Sequence, residues 1–443
     1  MSYKIGLISL GCEKNQIDAE IMLAKIKNAG YKLTANPADS DIVIINTCGF
    51  IEAAKKEAIE EIFNFIRLKE QGKIKAIIVT GCLAERYREK VLEEIPEIDA
   101  VLGIGANNEI INTIESVINH NKIEIFKDKK LLPLNGERVV TTPAHYAYLK
   151  VAEGCDNCCS YCAIPQIRGR FRSRKKEDII AEAKNLAKSG VKELILIAQD
   201  TTRYGEDLYH ELYLPKLLLE LCEIPEIKWI RLLYCYPDKI TDELISVIKS
   251  QEKILKYLDL PLQHCSGKIL KCMSRTGDTK SLTALINKLK SEIPQIILRT
   301  TFIVGFPGET DDDFNELCDF INDIKFDRLG CFTYSAEEGT RACSFNNQVD
   351  EDIKKHRQEI LMNEQLKIVT NKNREMINQE VLVVTEGFDD KANCYFGRSF
   401  ADSPDIDGKV FFKSDKLLRP GDFITVKITD FIDYDLIGTA IKK

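Results

Sequence analysis

The sequence predicts an α/β protein in three parts: an N-terminal open parallel sheet flanked by helices, a central partial (β/α)6 barrel and a small C-terminal β-barrel. Three observations predict it. Near the N-terminus, apolar runs that end in cysteine alternate with amphipathic stretches. From Tyr146, six more apolar runs alternate with helical ones. From Val381 the helical period gives way to short β-rich pieces between Gly, Asp and Pro turns. The expected boundaries are 1–125 for the first domain, 126–145 for a linker, 146–375 for the barrel and 376–443 for the last domain.

A chain of 443 residues has room for more than one core, at roughly 150 residues per domain. Its 62 Lys and Arg against 69 Asp and Glu give a net charge of −7, so only a local basic patch could grip a phosphate backbone. No run approaches the roughly eighteen uncharged apolar residues of a membrane span, and IGLISL is too short for a signal segment. A cytoplasmic chain without a membrane partner is expected. Fifteen cysteines in such a reducing compartment point to metal binding or catalysis rather than disulfides.

KIGLISLGC, DIVIINTC and KAIIVTGC stop at Cys12, Cys48 and Cys82. Helical spacing follows each, most plainly over 51–69, which makes a βαβαβα pattern and a buried parallel sheet. Parallel strands end on one edge, where open α/β sheets bind ligands, so the three thiols are expected to converge. A polar, turn-rich stretch from Lys127 to His145 then breaks the pattern.

AYLKVAE, KELILIAQD, KWIRLLYCYP, KYLDLPLQH, ILRTTFIVGF and RLGCFTYS read as the barrel strands. Six are too few for a closed eightfold barrel, and the working face is expected at the C-terminal rim. After a charged helical run, VLVVTE, KVFFK, FITVKITD and LIGTAI build the terminal β-barrel.

The densest motif is EGCDNCCSYCAIP, from Glu153 to Pro165, where Cys155, Cys159 and Cys162 have the spacing C-x-x-x-C-x-x-C. Three soft thiolates on one loop can hold three irons of a 4Fe-4S cluster and leave the fourth open. A closed zinc site that also uses Cys158 is the alternative.

This spacing, on the loop after the first barrel strand, resembles the radical S-adenosylmethionine superfamily. With SLGCEKNQIDAE, NTCGFIEAA, VTGCLAERY, LLYCYP, LPLQH, GFPGET and YSAEEGT, the resemblance extends over nearly the whole chain to the methylthiotransferases. Those enzymes join an N-terminal three-cysteine domain, a radical domain and a TRAM barrel. The resemblance implies one 4Fe-4S cluster on Cys12, Cys48 and Cys82 that carries the sulfur. It implies a second on Cys155, Cys159 and Cys162 that cleaves S-adenosylmethionine, with two S-adenosylmethionine molecules consumed per methylthio group.

SLGCEKN, NTCGFIEAA and YSAEEGT are similar to the branch that modifies an aspartate β-carbon of a basic small-subunit ribosomal protein. Transfer RNA adenosine is the other substrate class. An electron donor protein is implied as a partner, and a monomer is expected. A non-enzymatic iron–sulfur sensor or electron carrier is the alternative from another class, although a carrier needs neither an open iron nor a polar barrel rim.

At the predicted rim, Gln199, Arg299, Thr301, Gly305 and Glu309 are candidates for cofactor contacts, and Gln263 and His264 for substrate contacts. Helix caps and a structural salt bridge are the plain alternatives. RGRFRSRKK, from Arg168 to Lys176, reads as a grip for acidic groups or as a solvated helix start. Between Glu375 and Lys443, 13 acidic residues against 9 basic ones leave −4, which suits a basic protein partner. Asp405 and Asp407 are expected to help dock it.

Overall fold

A computed structural model describes residues 3–441. The chain forms two compact units. One comprises the residues up to Thr141, Lys150–Arg174 and Glu337–Thr340; the other comprises Thr142–Leu149, Lys175–Ala336 and the residues from Arg341 onward.

The first unit begins with β1 (Lys4–Ser9), α1 (Glu13–Asn28), β2 (Lys32–Leu33), β3 (Ile42–Thr47), α2 (Glu52–Glu70) and β4 (Ala76–Gly81). It continues with α3 (Cys82–Tyr87), α4 (Glu89–Glu94), β5 (Ala100–Leu102), α5 (Ile110–Ile118) and β6 (Ile123–Ile125). The strands form one parallel sheet in the order β2-β1-β3-β4-β5-β6. Every residue of β3 and β4 is buried, because alternate side chains enter two cores. Ile42 and Ile78 pack with Met22 of α1 and Ile114 of α5, while Ile45 and Ile77 pack with Ile62 and Phe65 of α2. Three strands were legible in the sequence; β2, β5 and β6 were not, since runs of two or three residues carry no measurable period.

The irregular stretch before Thr142 is fastened along α1. Val139 N–H donates to the Glu20 carbonyl at 3.1 Å, Thr141 donates twice to the Glu20 carboxylate at 2.8 Å, and Arg138 pairs with that carboxylate at 3.3 Å.

After β7 (Tyr146–Lys150) the first unit takes in β8 (Ala152–Glu153), α6 (Ile164–Arg168) and β9 (Arg172–Ser173). Antiparallel pairing of Ala152 with Ser173 and Glu153 with Arg172 closes the base of the cysteine-rich loop.

The second unit holds β10 (Glu193–Ile197), β11 (Trp229–Leu232), β12 (Ile254–Asp259), β13 (Ile297–Val304) and β14 (Arg328–Thr333) in an open sheet of order β14-β13-β12-β11-β10-β7. Helices α7 (Lys176–Lys188), α8 (Leu214–Cys222), α9 (Asp242–Ser250), α10 (Gly267–Cys272), α11 (Thr279–Glu292) and α12 (Asp311–Ile324) lie between the strands in sequence, and α13 (Glu351–Met376) follows. Strand β13 alternates strictly: Leu298, Thr300, Phe302 and Val304 are buried, and Arg299, Thr301 and Ile303 are half-buried on the other face. Six strands that leave two edges make the incomplete barrel the sequence predicts.

The last element is a closed barrel of β15 (Glu380–Asp389), β16 (Cys394–Ser399), β17 (Val410–Lys413), β18 (Phe423–Ile432) and β19 (Asp435–Ala440). Val383, Val410, Phe412, Val426 and Ile428 fill it. Its β16–β17 loop seats against the open sheet near the strands' N-terminal ends. Glu193 bridges Arg231 and Arg398 at 2.8 Å each, Arg231 donates to the Phe400 carbonyl at 2.9 Å, and Arg328 donates to Asp402 at 2.6 Å.

The expectation that Asp407 meets an external partner is corrected here. Its side chain is 2% exposed, accepts from the Tyr257 hydroxyl at 2.7 Å and from Ser403 N–H at 2.9 Å, and lies 3.5 Å from Arg299. Asp402 and Asp407 face Arg328 and Arg299, so part of the acidity counted in this domain is neutralised inside the fold.

Removing one partner from a buried ion network leaves uncompensated charge, so Glu193→Gln should cost about 3–5 kcal/mol, read as a lower urea midpoint. Burial alone would raise the Glu386 carboxyl, but hydrogen bonds and charge from His145 and Arg398 outweigh it and lower the pKa from 4.5 to about 2. The stability Glu386 contributes is therefore complete above pH 4.5 and is lost as pH falls toward about 2. Acid unfolding followed by circular dichroism should be less steep over that window in Glu386→Gln.

Candidate functional site

The strand order β2-β1-β3-β4-β5 reverses direction between β1 and β3, and in doubly wound sheets ligands bind at that switch point, outside the carboxyl ends of the strands. Cys12 follows β1 and occupies the position just before α1 without a side-chain capping bond, Cys48 follows β3, and Cys82 opens α3 directly after β4. The three thiols are close enough to influence one another electrostatically. Their approach depends on small neighbours. A Cβ on Gly11, at φ +85°, would stand 2.8 Å from Cys48 Sγ, and one on Gly81, at φ +96°, would stand 2.4 Å from the Thr47 carbonyl oxygen.

Burial raises the Cys48 thiol, opposed in part by the Phe50 N–H, and pushes Cys82 up to about 12 despite the charge of Arg168. Both are therefore neutral thiols near pH 7, and a metal must displace their protons on binding.

Helix α1 presents Asn15 and Asp18 three residues apart on one face. Asn15 Nδ2 donates to the Leu10 and Asn46 carbonyls at 2.8 and 3.2 Å, fastening the ends of β1 and β3. Its Oδ1 accepts from Arg168 Nη2 at 3.1 Å. Arg168 Nη1 donates to Asp18 at 2.7 Å and Glu153 at 3.1 Å, and its Nη2 donates to Cys82 Sγ at 3.4 Å. Lys150 completes the group, 2.7 Å from Asp18 and 2.8 Å from Glu153. All four charged side chains are at most 1% exposed.

The second cysteine group lies on the loop between β8 and β9. Cys155, Cys159 and Cys162 are half-buried, whereas Cys158 is exposed at φ +50°. Cys155 N–H donates to the Gly169 carbonyl and Cys162 N–H to the Cys159 carbonyl, each at 3.1 Å. Ala163, directly after Cys162, packs with Ile167 against Cys82.

Among the described residues, no three His, Cys, Asp or Glu side chains gather closely enough to hold a single ion. A four-iron cube is wider than an ion and holds its thiolates further apart. The all-sulfur donor sets, three and three, fit iron–sulfur clusters in chemistry and number.

Several expected site residues are committed to the fold. Glu309 is buried: its carboxylate accepts from Gly305 and Phe306 N–H at 2.9 and 3.3 Å and pairs with Arg357 at 2.7 Å. The space beside Gly305 is filled by Lys354, whose Cγ would lie 2.2 Å from an added Cβ, so this glycine admits a side chain rather than a ligand. His264 is buried, with Nδ1 accepting from Ser266 N–H at 3.0 Å and Nε2 3.6 Å from Glu309. Arg299 pairs with Asp259 at 3.0 Å, the structural salt bridge.

Asp200, beside Gln199, caps the following turn through Thr202 and Arg203. Gln199 and Thr301 remain half-buried, and Gln263, at φ +72°, extends the ladder with Thr301 and Ile303 through its backbone. Asp405 stays exposed.

The basic run from Arg168 to Lys176 divides: Arg170 and Lys175 are exposed, with Lys175 at the N-cap of α7, while three of its other residues turn inward. Arg168, Phe171 and Arg174 are buried, and Arg174 donates to the Lys150 carbonyl at 2.6 Å. Sequence reasoning missed this network because charge runs ordinarily face water. The available signal was an amide and an acid one helical turn apart in NQID, Asn15 and Asp18, with an arginine just beyond the cysteine loop.

Residues 4–103 match an uncharacterized protein family, UPF0004; residues 149–321 match the radical SAM superfamily; residues 377–441 match the TRAM domain. The chain is 49% identical over 435 residues to the ribosomal protein uS12 methylthiotransferase RimO of Thermoanaerobacter sp. (strain X514), covering 98% of this chain and 99% of that one. It is 51% identical over 435 residues to the protein of the same name from Caldanaerobacter subterraneus subsp. tengcongensis, with the same coverage. Among solved structures, the radical S-adenosylmethionine methyltransferase TsrM from Kitasatospora setae, with cobalamin and a 4Fe-4S cluster bound, shares the fold over 75% of each chain at 13% identity and a TM-score of 0.57. On full-length identity to these relatives, this chain belongs to the RimO family of ribosomal protein uS12 methylthiotransferases.

Proposed function

We propose that this chain transfers a methylthio group to an aspartate β-carbon of the small-subunit ribosomal protein uS12, using S-adenosylmethionine and two 4Fe-4S clusters. The observation that carries the reading is that Ala163, the neighbour of Cys162 in the second thiol group, packs on Cys82 of the first. Cys12, Cys48 and Cys82 hold one cluster, and Cys155, Cys159 and Cys162 hold the other. When bound, one cluster supplies the electron that cleaves S-adenosylmethionine and the other supplies the sulfur, a combination suited to a C–H bond that offers no acid or base handle.

The chain's own residues bind and orient. The glycines beside the first thiols let the strand ends close on a shared ligand. The network of Asp18, Glu153, Lys150 and Arg168 fixes the base of the second loop. Gln199 and Thr301, half-buried in the second unit, are the remaining candidates for S-adenosylmethionine, and Gln263 for the substrate. Asp405 is left on the surface for a basic partner. The reading includes an electron donor protein, a monomer and a cytoplasmic setting. Among the described residues, no helix is long and apolar enough to cross a membrane.

Cys155→Ala, Cys159→Ala and Cys162→Ala should each abolish reductive cleavage of S-adenosylmethionine by the anaerobically reconstituted protein. Cys12→Ala, Cys48→Ala and Cys82→Ala should retain cleavage and lose sulfur insertion, with iron content falling from two clusters to one. Product formation without the N-terminal thiols would refute the donor role. Wild-type protein should add a methylthio mass to uS12 and none to transfer RNA; the reverse would overturn the substrate assignment.

A further inference from the structure

We propose that Arg168 is a positioning residue that ties the two thiol groups together and, through its N–H···S bond to Cys82, sets the reduction potential of the cluster on Cys12, Cys48 and Cys82. The inference rests on the cluster assignment proposed above.

Both ends of the second loop lead to this one guanidinium. Glu153 lies two residues before Cys155, and Arg168 lies six residues after Cys162. Arg168 reaches Asp18 at 2.7 Å and Asn15 at 3.1 Å on the helix that begins after Cys12, Glu153 at 3.1 Å on its own segment, and Cys82 Sγ at 3.4 Å. A planar fork with five donors can serve all four partners at once; the compact ammonium of lysine cannot. The two carboxylates balance Lys150 and Arg168, so the network is neutral before the sulfur is counted.

A donor N–H and a cation beside a cluster sulfur stabilise the reduced state, which carries one more negative charge, and so raise its potential. At 1% exposure the guanidinium is little screened by salt. Because Asp18 and Glu153 balance the two positive charges, the hydrogen bond and the nearness of the guanidinium to the sulfur are what favour reduction of the first cluster.

The test uses a full-length parent carrying Cys155→Ala, Cys159→Ala and Cys162→Ala, so that only the first cluster reports. Arg168→Lys, Arg168→Gln and the charge-balanced pair Asp18→Asn with Arg168→Gln are each added to it. Iron content and a potentiometric titration followed by electron paramagnetic resonance are measured on the reconstituted proteins. The potential should move negative in both Gln proteins and less so in Arg168→Lys, with one cluster retained in at least the balanced pair. An unshifted potential in cluster-bearing Gln protein overturns the proposal while leaving the ligand assignment intact. Loss of the cluster in every Arg168 protein marks a purely structural role and also overturns it. A parent without any cluster overturns the assignment and the proposal with it.

Discussion

The first unit is organised around a buried guanidinium. Arg168 has no access to water and must find every partner within the protein, and it does so in Asp18, Glu153, Asn15 and Cys82. Desolvating four charged groups is expensive, and a well-packed apolar cluster of the same volume is often at least as stable. What such a cluster lacks is direction. Single bonds from one planar guanidinium to four separate partners place the cysteine loop, α1 and the start of α3 in one arrangement.

The sheet supplies the other half of the site. Because the strand order reverses between β1 and β3, the segments leaving them diverge and open a cleft at the carboxyl edge. Two thiols flank that cleft and the third arrives from β4. Glycine where the chain leaves β1 and at the end of β4 lets backbone and sulfur come within contact distance, which any Cβ would prevent.

The second unit uses charge differently. Its small β-barrel is fixed to the open sheet through the β16–β17 loop, whose Asp402 and Asp407 meet Arg328 and Arg299, and through Arg398 of β16, which pairs with Glu193 of β10. The rim lies at the opposite ends of these strands. Acidity that looks, in a residue count, like a surface for a basic partner is partly the mortar of an internal contact; Asp405 is exposed while Asp402 and Asp407 are not.

The sequence by itself determined the layout of α/β domain, six-stranded open barrel and closed terminal barrel, because hydrophobic period is a local property that a long element cannot hide. It also determined that Cys12, Cys48 and Cys82 end strands that run the same way. It could not determine the short strands β2, β5 and β6, which exist only through their neighbours' hydrogen bonds. Nor could it say which charges are buried. Arg168 and Asp407 resemble surface residues in composition, and Glu309 and His264 resemble rim ligands in position. Whether each meets solvent, a ligand or an opposite charge depends on side chains that are distant in sequence and adjacent in space, as Arg168 is to Asp18 across 150 positions, and only the tertiary structure decided that.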